Sequence, residues 1–150
     1  MIRKPLVTAE LCVLTIAVLP VLAHETGNPE EAEAMLDRAV AELKVDPAAA
    51  LEKFNKGLEG FQDRDLYVFC ATQDGKLVAH TTARMLGDDI TKFKDVSGKE
   101  AGKEIIRQAK EGQVIKVKYM IPRPGETEAV AKESYVTRVG ELTCGVGYYK

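Results

Sequence analysis

The sequence predicts an α+β domain, with helices first and an antiparallel sheet after them. Three observations carry this. Asn28-Pro29 and Asp46-Pro47 are helix starts, and apolar residues follow the first at spacings of three and four. From Asp65 onward the chain turns to short apolar or alternating runs, as strands require. Most of those runs are joined by short turns, which pair neighbouring strands antiparallel. The 150 residues, 45% hydrophobic and 29% charged with a net charge of −2, fit one soluble domain with a core of its own. Lys and Arg are interspersed with Asp and Glu, which argues against a nucleic-acid partner. There is no internal repeat, and the absence of Trp argues against a large stacking platform.

Residues 1–23 read as a separate segment. A basic start at Arg3-Lys4 precedes the apolar stretch 11–23, and Val21-Leu22-Ala23 offers a cleavage site. Glu10 interrupts the run on one side and Pro20 lies near its other end, which makes a poor membrane span. The expectation is a signal peptide over 1–23 and a periplasmic or secreted chain from His24, the alternative being an uncleaved N-terminal anchor. Export would leave Cys70 and Cys144 in an oxidising compartment, either as one disulfide or as two separate buried thiols. With the distant His24 and His80 they make no zinc spacing, so no metal site is expected.

The helical segment occupies 24–60 and the sheet core 61–150. Asn28-Pro29-Glu30-Glu31 opens the first helix, and Ala32, Met35, Leu36, Ala39, Val40 and Leu43 form its apolar stripe. Asp46-Pro47 opens a second, ended by Gly57 and Gly60. Leu66 to Ala71 is apolar on both faces, as a central strand is. Asp74-Gly75 turns the chain into a returning strand, Lys76 to His80. A loop through Gly87-Asp88-Asp89 leads to a short helix, Ala101 to Glu111, closed by Gly112. Val114, Val117, Tyr119 and Ile121 begin a long strand with Lys116 and Lys118 outward, and Pro122-Arg123-Pro124-Gly125 turns it. Ala129 to Val139 and Leu142 to Tyr149 are the last two strands, joined at Gly140.

Enzyme signatures are missing: no phosphate-binding glycine loop, no nucleophile elbow, no paired-histidine zinc helix. Glu100 and Glu104 share a helix face as solvated acids, and Asp88-Asp89 lack calcium-loop spacing. Catalysis and a cofactor are therefore not expected.

Five segments in order resemble a known family: Asp65-Leu66-Tyr67-Val68-Phe69, Asp74 to His80, Lys94 to Lys99, Tyr119 to Gly125, and Ala131 to Val136 running on to Gly145-Val146-Gly147-Tyr148-Tyr149. Together they make 54–150 similar to a single Cache domain, the PAS-like extracytoplasmic sensor module. The resemblance implies a five-stranded antiparallel sheet in spatial order 2-1-5-4-3, with the long N-terminal helical segment packed on one face. Strands one and five are then neighbours, which makes a Cys70–Cys144 cross-strand disulfide geometrically possible. The resemblance also implies a small ligand, a carboxylate or similar metabolite, on the face opposite the long helix. Lys132, Tyr119 and Tyr135 match positions where the family places pocket residues. Lys132 and Tyr135 are three apart, so strict alternation puts them on opposite faces unless a bulge intervenes. The competing reading makes Lys132 a solvated edge lysine and the tyrosines packing residues.

His80 ends strand two where relatives carry His-Pro; Thr81 replaces that proline, and His80 is a further candidate contact. Arg123, in the proline-rich turn, is placed to reach a carboxylate. Gly145 and Gly147 leave one face of the last strand bare, either for a ligand or for a neighbouring side chain. The implied function is an exported, stand-alone binding domain that presents its ligand state to a membrane receptor or transporter, with homodimerisation through the N-terminal helices. The alternative is a ligand-free interaction module of the same fold.

Overall fold

The structure is a computed structural model that describes residues 26–150; the predicted signal peptide, Cys12 and His24 lie outside the described residues. Helix α1, Pro29–Val45, begins with a reciprocal cap. The Asn28 side chain accepts the Glu31 amide at 2.9 Å, and the Glu31 carboxylate accepts the Asn28 amide at 3.0 Å. Asp46 ends α1 through its own amide and starts α2, Pro47–Lys56, by accepting the Ala49 amide at 3.1 Å. Gly57, at φ 61°, closes α2 in the left-handed conformation that glycine adopts without strain. Both helices thus start and stop where the caps predict.

The sheet comprises β1 Gln62–Asp63, β2 Leu66–Thr72, β3 Leu77–Ala79, β4 Ile115–Pro122, β5 Ala129–Val139 and β6 Leu142–Tyr149. Antiparallel pairing runs β3-β2-β6-β5-β4, the order the resemblance implies. The two-residue β1 is an addition to the expected five strands and also pairs with β2. The returning strand is shorter than expected. Lys76 only bridges to Asp89, and the His80 amide bonds to the Asn55 side chain instead of to a strand. Helix α3, Ala101–Gln108, stops before the predicted Glu111. Ala109 is already extended there, and the Lys110 carbonyl accepts the Arg138 amide from β5.

Two apolar layers flank the sheet. On one face the α1 stripe of Ala32, Met35, Leu36, Ala39 and Leu43 packs on Leu66, Val68, Val146 and Tyr148. On the other, Ala101 and Ile105 of α3 pack on Phe69, Val117 and Val136. Gly102 seats α3 directly against the Ile90 carbonyl, where a side chain would collide. Burial stabilises each Val, Leu, Ile, Phe and Met side chain here by about 1.5–3 kcal/mol relative to exposure. No described helix is long and apolar enough to cross a membrane.

Cys70 and Cys144 face each other across β2 and β6, with Cα atoms 4.1 Å apart, and form a disulfide beneath the helical layer. Of the two states left open by the sequence, the structure has the bonded one. Replacing both cysteines with alanine should lower the unfolding free energy by about 4 kcal/mol, because the bond closes a loop spanning 74 positions. Urea unfolding of the double variant checks this; unchanged stability would contradict it.

Candidate functional site

Alternation sorts the central strands onto two faces, and the register aligns the residues of the face opposite α1. Tyr119, Lys132 and Tyr149 lie in one row across β4, β5 and β6. Val117, Ser134 and Gly147 form the next row, and Ile115, Val136, Gly145 and Phe69 the one after. The bare positions on β6 are filled by neighbouring side chains. A Cβ on Gly145 would lie 2.6 Å from the Phe69 ring. One on Gly147 would lie 2.6 Å from Lys132 Cε and would also collide with Ser134 Oγ. Gly147 is the gap through which Lys132 extends from β5 toward β2.

Lys132 is 3% exposed. Its ammonium lies 4.5 Å from the centre of the Tyr67 ring and 4.4 Å from that of Tyr149, and donates to the Tyr67 hydroxyl at 3.3 Å. Two electron-rich faces stabilise a cation, yet they replace only part of its hydration. Burial lowers its pKa to about 8, and the nearby Asp65 carboxylate offsets part of that fall without forming an ion pair. Asp65 Oδ1 is taken by the Gly27 amide at 2.6 Å, and its other oxygen is buried without a partner.

A cavity of about 80 Å³ opens on the same face. Its walls are apolar, from Phe69, Leu77, Met85, Ile90, Phe93, Ile105 and Ile121, with Tyr67, His80 and Tyr119 as polar members. Tyr119 shares a hydrogen bond of 2.8 Å with Ser134, and burial raises its pKa to about 12. The His80 ring packs edge-on against Tyr67, with centroids 4.8 Å apart. Burial and the Lys132 charge lower its pKa to about 4, so it is neutral at pH 7. Its Nδ1 accepts the Thr82 amide at 2.9 Å, which assigns the ring proton to Nε2 and makes the imidazole a donor.

The structure therefore brings together Lys132, Tyr119 and His80 from the candidates named above. Tyr135 is not among them. β5 has no bulge between the two positions, so Tyr135 faces α1 and stacks on Tyr148 with centroids 6.1 Å apart. Arg123 does not line the cavity; its guanidinium lies 5.3 Å from the Tyr149 ring centre and its Nε is buried without a partner. Tyr67 and Tyr149, which hold Lys132, were not singled out in the sequence. A signal existed for both. Tyr149 continues the Gly145, Gly147 alternation, and Tyr67 precedes Phe69 by two on a strand buried on both faces. Among the described residues no group of His, Cys, Asp and Glu could hold a metal ion.

A search of curated proteins gives no significant match. Among solved structures, the chain is similar to a periplasmic sensor domain of a chemotaxis protein, at 26% identity and a TM-score of 0.60 over 80% of this chain and 88% of that one. It also resembles a methyl-accepting chemotaxis protein from Vibrio parahaemolyticus, at 19% identity and a TM-score of 0.64 over 80% and 86%. A third is a Cache chemosensory domain described for carboxylic acid recognition, at 24% identity and a TM-score of 0.57 over 80% and 86%. The model of the family described as single Cache domain 2 matches residues 27–149. With the helical layer, the strand order and a pocket on the face opposite α1, the chain belongs to the single Cache domain 2 family of sensor domains.

Proposed function

We propose that this domain, exported to the periplasm, holds a small carboxylate at Lys132 and presents the bound state to a membrane receptor or transporter. The observation that carries the reading is a buried ammonium whose one hydrogen-bond acceptor among the described residues is a phenol. Removing a cation from water is costly unless an anion accompanies it, and a ligand carboxylate supplies that anion. Tyr67, Tyr119 and His80 add hydroxyl and Nε2–H donors beside it, and the apolar cavity takes the ligand's short chain. Arg123, against the Tyr149 ring that Lys132 also meets, supplies a second positive charge. The solved Cache domain described for carboxylic acid recognition supports the same ligand class. If copies pair through α1, charge governs the contact, since Glu30, Glu33, Asp37, Arg38 and Lys44 line its exposed side.

Thermal unfolding against acetate, propionate, amino acids and nucleobases tests the reading. Ligand at about 100 times its dissociation constant should stabilise the fold by about 2.7 kcal/mol, a shift of several degrees. Stabilisation by carboxylates alone is expected. A flat panel would favour the ligand-free interaction module.

Lys132→Met removes the charge and keeps the length. The unliganded variant should melt no lower than the parent at pH 7, and its carboxylate-dependent shift should vanish. A retained shift would remove Lys132 from the site.

The folded pKa of about 8 lies below the unfolded value of 10.5. The unfolded chain therefore holds the extra proton between these values, and unliganded stability from this group rises as pH increases through that window. Carboxylate binding needs the charged amine, so affinity should fall about tenfold per unit above pH 8. Titration calorimetry from pH 6 to 10 checks the sign; constant affinity would contradict it.

In Gly147→Ala the new methyl group meets the buried Ser134 hydroxyl and Lys132 Cε at close range, and both side chains must turn aside. Stability should fall by about 1–3 kcal/mol, and carboxylate affinity should drop roughly tenfold or more. Parental affinity in a folded variant would show that Lys132 does not need its path over β6.

A further inference from the structure

We infer that Asn55 of α2 is a positioning residue for His80, through which the helical layer sets how the imidazole is presented to the cavity. β3 ends at Ala79, so the backbone at His80 has no strand neighbour to bond with. Asn55 takes that place. Its Oδ1 accepts the His80 amide at 2.9 Å, and its Nδ2 donates to the Val78 carbonyl at 3.2 Å. A side-chain amide offers one acceptor and one donor in the spacing of a strand neighbour, which neither a carboxylate nor a hydroxyl reproduces in full. Asn is a weak helix former, and this tertiary pairing accounts for its use in the last turn of α2.

The clamp acts on the residue that carries the ring. With the His80 amide fixed from α2, the Thr82 amide reaches Nδ1 at 2.9 Å, and the ring stands against Tyr67 with its proton on Nε2. Releasing the amide frees residues 80–82 to turn, and the Nδ1 bond that selects the tautomer is lost with them. By reciprocity, a ligand that accepts from Nε2–H tightens the contact between α2 and β3. Binding and the placement of α2 are thereby linked through one side chain. This consequence for affinity rests on the carboxylate reading given above; the effect on His80 does not.

The experiment separates the two. The sequence contains two histidines, His24 and His80, so imidazole nitrogen signals can be assigned with a single His80 variant. In the mature chain at pH 7, free of ligand, His80 should show one Nε2-protonated form. Asn55→Ala should give mixed tautomers, and Asn55→Asp, which keeps the acceptor for the His80 amide, should lie between. Leu51→Ala, on the same helix with packing contacts only, should leave the spectrum unchanged even as stability falls. Unaltered His80 signals in folded Asn55→Ala or Asn55→Asp would overturn the inference.

Propionate titration supplies the second readout. Asn55→Ala should bind about tenfold more weakly than the parent, while Leu51→Ala binds equally. Equal affinity of Asn55→Ala and the parent would overturn the link to binding. If the parent itself does not bind propionate, the carboxylate reading fails, and the His80 spectra still decide the role of Asn55.

Discussion

A cation buried in a sheet face with no ion-pair partner among the described residues is the interaction around which the rest of this structure is arranged. Lys132 reaches its position only because Gly147 has no side chain, and only because Tyr67 and Tyr149 close on it from two neighbouring strands. Those three residues come from β2 and β6, whose pairing the Cys70–Cys144 disulfide pins at one row from the opposite face. Burial, helped by the same charge, holds His80 neutral, and the Thr82 amide on Nδ1 leaves Nε2–H as the donor. The ammonium thus bears on His80, while burial alone dominates the titration of Tyr67 and Tyr119.

The sheet keeps its two faces chemically distinct by period-two alternation alone. Lys132 and Glu133 are adjacent in sequence, yet Lys132 enters the pocket face and Glu133 lies under α1, where Tyr148 donates to it at 2.7 Å. Unlike Lys132, Glu133 has cations nearby: Lys118 and Lys150 stand 3.4 and 3.5 Å from its Oε2. The helical face is therefore electrostatically complete, and the pocket face is not. The proposed carboxylate site depends on this asymmetry, since a buried charge without a paired counter-charge favours the ligand that balances it.

Much of this was legible in the chain, for physical reasons that differ by element. The caps at Asn28 and Asp46 are local chemistry, and both helices follow them. β5 and β6 match their expected bounds because Val- and Tyr-bearing runs fill them and the turn at Gly140 separates them. The end of α3 and the shortness of β3 were not legible, since each is decided by a long-range bond, Arg138 to Lys110 in one case and His80 to Asn55 in the other. In the site, Lys132 and Tyr119 share a row, whereas Tyr135 follows the alternation rule to the other face. Tyr67 and Tyr149 were missed because a cation's aromatic neighbours come from strands distant in sequence, and only the register joins them.

The titration of Lys132 itself is the most direct test of this account. Carbon-13 labelling of lysine Cε, with Lys132→Met for assignment, follows that one amine across pH with and without saturating propionate. The account predicts a midpoint near 8 in the free protein and a clear rise when the carboxylate is bound. A midpoint at the ordinary lysine value, unmoved by any carboxylate, would mean that the ammonium is solvated and that the site has no charge to offer.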